Sequence, residues 1–295
     1  MSLDYINTDR NPFKDEALLN TIEDVSSILG YSETTVGGLL FERSGHSPES
    51  NMSSWGLQAA VNSNKTYRLC IYNGLVEVSG PDSEVISLRP LHDIVSTSCE
   101  LPCEIYAFVD ATWHRNVTED GVGNNILGGS GRFLSDAVLR IPVVEATSSS
   151  LAYYGAQLLH VNDVIRFPID RYPIWGMSVG RRYVSDCLLT AKGGGWYIEY
   201  HNDKPHFHMP LCSTCSGFYL LARAVSGGYH MTAFSIPFGS AVYTAPGACH
   251  CDAGLVGGKY IVGYDISSDF STANMRCRGN EECMTSINAY QVETL

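Results

Sequence analysis

Positive charge is scarce in this 295-residue chain. Lys and Arg total 19 against 31 Asp and Glu, and no basic run is longer than Arg181–Arg182. A net charge of −12 offers a phosphate backbone nothing to neutralise, so no nucleic-acid partner is expected. Long apolar runs are missing too. No stretch approaches the roughly 18 residues of a membrane span, so no membrane partner is expected either. The opening residues, Met1 to Phe13, lack a basic segment followed by an apolar one and do not read as a signal peptide. Without an export signal the 10 cysteines are expected as reduced thiols in a cytoplasmic protein. The Asn-x-Ser/Thr triplets at Asn51, Asn64 and Asn116 then carry no meaning. The glycine-rich run Gly128–Phe133 lacks the Lys-Ser/Thr pair and the helix that a phosphate loop requires. No clear repeat relates the two halves.

What is present is apolar residues in short runs. Hydrophobic residues make up 44% of the chain, enough for a sizeable core, and 28 Gly with 17 Tyr favour strands between tight turns. One helix is expected over residues 15–29. There Leu18, Ile22, Val25 and Leu29 recur at spacings of three and four, widened by Leu19 and Ile28, with Gly30 just past the end. From Val36 the pattern becomes short strands. Tyr67–Tyr72 leads through Asn73-Gly74 into Leu75–Val78, and further runs cover Val85–Leu88, Glu104–Val109 and Ala137–Val144. Gly37-Gly38, Tyr172-Pro173 and Gly193–Gly195 read as turns, and Asn116–Gly131 as a loop. Phe218–Val225, Tyr229–Ile236, Phe238–Tyr243 and Lys259–Tyr264 complete the strands. Turns every eight to twelve residues indicate a barrel or sandwich. A domain boundary is placed near Leu139, and the polar stretch beyond Asp265 reads as a surface arm.

The chemistry concentrates in Trp196–Leu211, WYIEYHNDKPHFHMPL. His206 and His208 are two apart, which puts both imidazoles on one face of a strand. Facing an interior, they need hydrogen bonds or a shared metal. A third ligand is available from Phe238–Asp252, where Gly239, six residues, Pro246-Gly247 and two more residues lead to His250. Three neutral imidazoles leave positions open on a divalent ion, which suits zinc or iron chemistry. The alternative is that these are ordinary satisfied histidines of core or surface. Glu199 and His201 share a face on the preceding strand, and Asp203 sits in the turn between the two groups. A carboxylate there is either a ligand, a general base or a turn residue.

The His206-x-His208 strand and the Pro246-Gly247-x-x-His250 ending resemble the two motifs of the cupin superfamily. The Glu usual a few residues after the His pair is absent; residues 209–216 read MPLCSTCS. Over about Ile141–Asp265 the chain is also similar to ureidoglycolate lyases. The similarity lies in VVEATSSSLAYYGAQL, in the Glu199-x-His201 and Pro210-Leu211 strand, and in VYTAPGACHCD, with Cys249 where Trp is common. The resemblance implies a mainly β chain. Its parts are a β-rich N-terminal domain over 1–140, a cupin-like double-stranded β-helix barrel over 141–270 and a C-terminal arm over 271–295, with a bicupin as a variant. It implies a lyase that splits a carbinol-urea or a similar small polar carboxylate, and a possible homodimer. In that reaction His206, His208 and His250 bind a divalent zinc, iron or manganese ion or a substrate oxygen. Glu199 and His201 move protons, and Arg223 and Tyr243 bind substrate. For Arg223 an ion pair with a neighbouring acid is the competing role.

Three other readings compete. A three-His iron site would serve a cupin dioxygenase. The pairs Cys212/Cys215 and Cys249/Cys251 have zinc-binding spacings and suggest a structural site. Alternation on a strand puts Cys249 and Cys251 opposite His250, however, so all three cannot ligate one ion. Last, the barrel can be a scaffold or non-catalytic ligand-binding module.

Overall fold

A computed structural model of the chain describes residues 16–33, 36, 48–50, 52–80, 84–95, 105–107, 109–115, 132–135, 139–183, 185–186, 196–277 and 290–294. The Gly37-Gly38 and Gly193–Gly195 turns, the 116–131 loop and Cys283 lie outside them. The described chain is mainly β. In order come α1 (Glu16–Leu29), β1 (Met52–Val61), β2 (Thr66–Cys70), β3 (Gly74–Val78), β4 (Val85–Ser87), α2 (Leu91–Ile94), β5 (Ile105–Ala107), β6 (Val109–Thr112), β7 (His114–Arg115), β8 (Arg132–Ser135) and β9 (Leu139–Glu145). Then follow α3 (Ser148–Tyr153), β10 (Ala156–His160), β11 (Val164–Arg166), β12 (Tyr172–Val179), β13 (Tyr197–His201), β14 (His206–Pro210), β15 (Ser216–Gly217) and β16 (Tyr219–Val225). The last are β17 (Gly228–Ser235), β18 (Ser240–Thr244), β19 (Cys249–Cys251), β20 (Leu255–Gly263), β21 (Phe270–Cys277) and β22 (Tyr290–Thr294).

Helix α1 ends where expected. The Gly30 amide donates to Ser26 O at 2.7 Å, with Gly30 in the left-handed region at φ 71°. Val25 and Leu29 are buried, but Ile28 is 56% exposed. It sits at the flank of the stripe, past the reach of the sheet below. Helix α3 forms because Thr147 and Ser150 cap each other: each backbone amide donates to the other's hydroxyl at 3.2 Å. The run Thr147–Ser150 is this capping box.

The described strands make three sheets, none of which closes on itself among the described residues. A seven-stranded sheet runs β1-β12-β20-β14-β18-β10, with β15 on β20. An eleven-stranded sheet runs β22-β9-β17-β16-β19-β13-β21-β8-β6, with β5 and β7 branching from it. A four-stranded sheet runs β3-β2-β11-β4. Alternation along each strand stacks them. Ile174, Phe207, Tyr243 and Ile261 of the seven-stranded sheet pack with Tyr67, Leu69 and Ile165 of the small one. Their neighbours Trp175, Val242, Tyr260 and Val262 point the other way, against Tyr219, Leu221 and Phe234 of the large sheet. The far face of the large sheet carries Ile198, Leu220, Ala222, Met231, Cys251 and Ala273. Strands β12, β14 and β18 of the middle sheet are therefore covered on both faces.

Three expectations meet a different arrangement. Tyr172-Pro173 opens β12 instead of forming a turn; Pro173 sits opposite Ala60 near the strand's start, where a missing amide is tolerated. Residues on both sides of the boundary expected near 140 share sheets, since β1 pairs antiparallel with β12 along its whole length. The polar stretch after Asp265 is no loose arm as far as Cys277. Strand β21 lies between β13 and β8, with Phe270, Ser271, Ala273 and Met275 buried. Its serines and threonines disguised it, because a strand needs only alternate side chains inward.

Candidate metal centre

Strand β13 belongs to the large sheet and β14 to the seven-stranded one, so the corner Asn202–Pro205 carries the chain from one sheet to the other. His201, last in β13, and His206, first in β14, thus face each other across the interior with ring centroids 4.8 Å apart. The corner is fastened to the loop before β21. Asn202 N donates to Asp269 O at 2.8 Å, and Asp203 accepts from the Ser268 amide and hydroxyl, each at 2.8 Å, and from the Ser267 hydroxyl. Lys204 Nζ reaches the buried Asp265 carboxylate at 2.7 Å, and Asp265 also accepts from Tyr31 OH. Asp203 therefore organises a turn; these bonds hold its carboxyl below the usual range although burial opposes them.

The third segment arrives through the Pro246-Gly247 turn. Gly247 adopts φ 88°, a conformation a side chain would strain, and its amide donates to His201 O. Strand β19 then runs between β13 and β16, and its pairing sets His250 directly opposite Glu199. The ligand atoms of Glu199, His201, His206 and His250 all lie within 4.8 Å of one another, and all four residues are buried. Glu199 Oε2 is 3.6 Å from His201 Nε2, and Oε1 is 3.8 Å from His250 Nε2. Both separations exceed a hydrogen bond.

The tautomer of His250 follows from its neighbour. Its Nδ1 lies 2.9 Å from the Ala248 carbonyl, which can only accept, so Nδ1 carries the proton. Burial first, and then the nearby His201, push the His250 pKa down to about 3. The ring is neutral, and its Nε2, which has no hydrogen-bond partner, presents a lone pair toward the Glu199 carboxylate. His206 is in the same position. Neither of its ring nitrogens has a hydrogen-bond partner, and burial together with His250 and His201 holds its pKa well below the ordinary value. Lone pairs and a carboxylate gathered in a dry interior repel unless a cation lies among them. The group could hold a metal ion, and a ring proton bonded to a backbone carbonyl is the usual outer-shell support of a metal-bound imidazole.

The seam continues past His206 to a second group. His208 lies in near-parallel stack with His206, centroids 5.6 Å apart, but its Nε2 is 3.3 Å from Asp252 Oδ2. Asp252 accepts a second bond from Tyr197 OH at 2.9 Å. Burial alone would raise the Asp252 carboxyl, yet the His208 hydrogen bond and the charge of the surrounding imidazoles hold it well below its ordinary value. With His206 and His250 neutral, the His208 bond is the dominant restraint. Tyr219 packs on the His208 ring at 4.6 Å, and its hydroxyl bonds Thr244 Oγ1 at 2.9 Å, tying the two sheets together.

The structure thus brings Glu199, His201, His206 and His250 into one group that could hold a metal ion, and His206, His208 and Asp252 into another. Asp252 and Tyr219 are functional candidates that sequence reasoning passed over. Asp252 could have been found, since it stands two residues after His250 and shares its face. Tyr219 had no signal beyond its place on a buried strand. Tyr243 pairs with Phe207 and faces the small sheet, away from the histidines. Arg223 lies at the other end of β16, over the Tyr153 ring at 4.4 Å and donating to Tyr153 O. Among the described residues neither metal-competent group contains a cysteine. Cys249 and Cys251 face the opposite side of β19 from His250, and burial raises both thiols, Cys249 to about 12. No described helix is long and apolar enough to cross a membrane. No family model, curated protein or solved structure matches this chain, so the reading of the site rests on its own geometry.

Proposed function

We propose that the chain is a cupin-type, metal-dependent enzyme in which Glu199, His201, His206 and His250 hold a divalent zinc, iron or manganese ion. Its reaction is carbon–nitrogen cleavage of a small polar carboxylate, in the manner of the ureidoglycolate lyases that its motifs resemble. One observation carries the metal: the neutral His250 presents a bare Nε2 lone pair to Glu199 Oε1 at 3.8 Å inside a dry core. When bound, the ion supplies Lewis acidity toward a substrate oxygen.

The chain's own residues supply the rest. Asp252, held ionised, can only accept, so the His208 Nε2 proton points at it and His208 Nδ1 carries the lone pair. That Nδ1 has no hydrogen-bond partner. It is placed to take the hydroxyl proton of a carbinol, after which the imidazolium is stabilised by Asp252 and returns the proton to the leaving nitrogen. Tyr219 covers the ring and keeps water from it. Asp252, with 10% of its side chain exposed, is the seam's opening to solvent.

A second reading has one observation in its favour. The four ligands are so completely buried that a diatomic molecule reaches them more readily than a carboxylate does, which suits an iron dioxygenase. Elemental analysis of protein purified without added metal, with assays of urea and glyoxylate release and of oxygen uptake, separates the two. The lyase reading expects one bound ion, lost in His250→Ala, and release of urea. Iron with oxygen consumption selects the dioxygenase. A folded protein that holds no ion, or keeps it after His250→Ala, defeats both.

A further inference from the structure

A second reactive site lies just beyond the metal-bearing strand. β14 ends at Pro210, and Leu211 N still donates to Lys259 O of β20 at 2.9 Å. The chain then leaves the sheet and reverses over Cys212-Ser-Thr-Cys215, closed by the Cys215 amide on Cys212 O at 3.2 Å. This turn sets the two sulfurs 3.3 Å apart. They are not equivalent. Both are partly buried, and Cys212 has the Thr214 hydroxyl 3.2 Å from its sulfur. Cys215 is tucked against β20, its sulfur 3.1 Å from Lys259 O and within reach of Cys212 as a donor. Gly257 makes that possible: a Cβ there would come within 2.6 Å of Cys215 Sγ. Beside the turn runs a surface groove lined by Trp55, Tyr72, Leu211 and Lys259. Trp55 is 44% and Tyr72 79% exposed.

We infer that Cys212 and Cys215 form a dithiol that exchanges with low-molecular-weight disulfides, Cys212 attacking and Cys215 resolving. The thiolate is the nucleophile, and the surroundings select which sulfur carries it. Burial would raise the Cys212 thiol, but bonds from the Thr214 hydroxyl, the Cys215 thiol and the two backbone amides outweigh it and lower it. Burial, and then Cys212 beside it, push Cys215 up to about 11. The Cys212 thiolate attacks one sulfur of the incoming disulfide. That S–S bond breaks, and one thiolate leaves and takes a proton from water. Cys215 then gives up its proton and attacks Cys212 Sγ, forming the internal disulfide and releasing the second thiol. The pair loses two electrons and the external disulfide gains them. The alternative, a zinc site, needs further ligands, and among the described residues none joins these sulfurs in a metal-competent group.

The test uses the full chain and glutathione disulfide, with peptide-resolved mass spectrometry to keep the other cysteines apart. In wild type, limiting iodoacetamide should label Cys212 at least ~10-fold faster than Cys215, as expected when the two sites differ by more than one pKa unit. Glutathione disulfide should convert the pair to an internal disulfide. Cys215→Ser should instead trap glutathione on Cys212, and Cys212→Ser should trap none on Cys215. Equal labelling, glutathione on both single variants or neither, or zinc bound in wild type and lost in Cys212→Ser would each overturn the inference. Since wild-type labelling needs no substitution, a variant that fails to fold does not shelter it. The readouts are independent of any metal at the histidine cluster.

Discussion

The two ends of the polar seam between the sheets are built from the same materials, a carboxylate and imidazoles, yet they differ in how their polar atoms are satisfied. At the Asp252 end the carboxylate receives His208 and Tyr197, and of the His208 ring nitrogens only Nδ1 lacks a hydrogen bond. At the Glu199 end the nearest imidazole nitrogens stop at 3.6 and 3.8 Å, and both nitrogens of His206 lack a hydrogen bond. A carboxylate bonded to a ring that keeps one nitrogen open is suited to handling a proton. A set of lone pairs around a carboxylate asks for a cation. The difference teaches that two histidines on one strand face, 206 and 208, can have unlike jobs, decided by what the facing sheet presents to each.

The sharpest way to break the comparison is to remove one residue from each end. His206→Ala or His250→Ala should lower metal affinity by more than about 100-fold, beyond what loss of an outer-shell partner does. His208→Ala should leave bound metal at wild-type stoichiometry and reduce turnover by about 10²–10⁴-fold, the span of general acid–base catalysis. Elemental analysis and rate measurement on the same preparations check both. If His208→Ala also strips the ion, the ends are one site and the division fails.

Chelation tests the same contrast through stability. If the Glu199 end is where the ion sits, removing an ion present at roughly a thousand times its Kd costs about 4 kcal/mol of folding free energy. The loss should be seen as a lower melting temperature in wild type and in Asp252→Asn. His250→Ala, already without the ion, should melt at the same temperature with or without chelator. A chelator effect of equal size in His250→Ala would place the ion elsewhere.

Acid should separate the ends in the metal-free chain. His250 is neutral when folded, with a pKa near 3 against its ordinary 6.5. Between those values the unfolded chain binds the extra proton, so stability is full above pH 6.5 and falls as pH drops toward 3. Asp252 is depressed below its ordinary 3.8, so its contribution is present above that value and lost only below it. Denaturant titrations should show His250→Gln flattening the decline below pH 6.5, and Asp252→Asn altering only the most acidic part.

How much of this was legible beforehand depends on which contacts are local. The His206/His208 parity and the turn that aims His250 are readable because each is set within a few residues, whereas the capped helix after Thr147 was not expected. That His201 joins this group was not, since a five-residue separation reads equally well as a hairpin within one sheet or as a corner between two. Only the partners of each strand, β21 and β19 for one and β18 and β20 for the other, decide it. The same gap hid β21 itself, a central strand whose polar alternate residues looked like a surface tail. Tyr243 was misplaced for want of register: it shares a strand with Val242 and Thr244 but points to the opposite layer.

The smallest expected effect tests the joint between the layers. Tyr219→Phe removes a hydroxyl that bonds Thr244 Oγ1 at 2.9 Å in a fully buried place. The ring remains, so packing against His208 and His250 is kept. What is lost is one buried neutral hydrogen bond, a net cost of about 1 kcal/mol, with Thr244 left to find another partner. Metal content should not change, because Tyr219 touches the ligands only through its ring. Thr244→Val alone should cost a similar amount, and the double variant should cost less than the two singles added, because each has already broken the same bond. Strict additivity in that cycle would mean the hydroxyls do not bond, and that the two sheets are held over the metal centre by apolar packing alone.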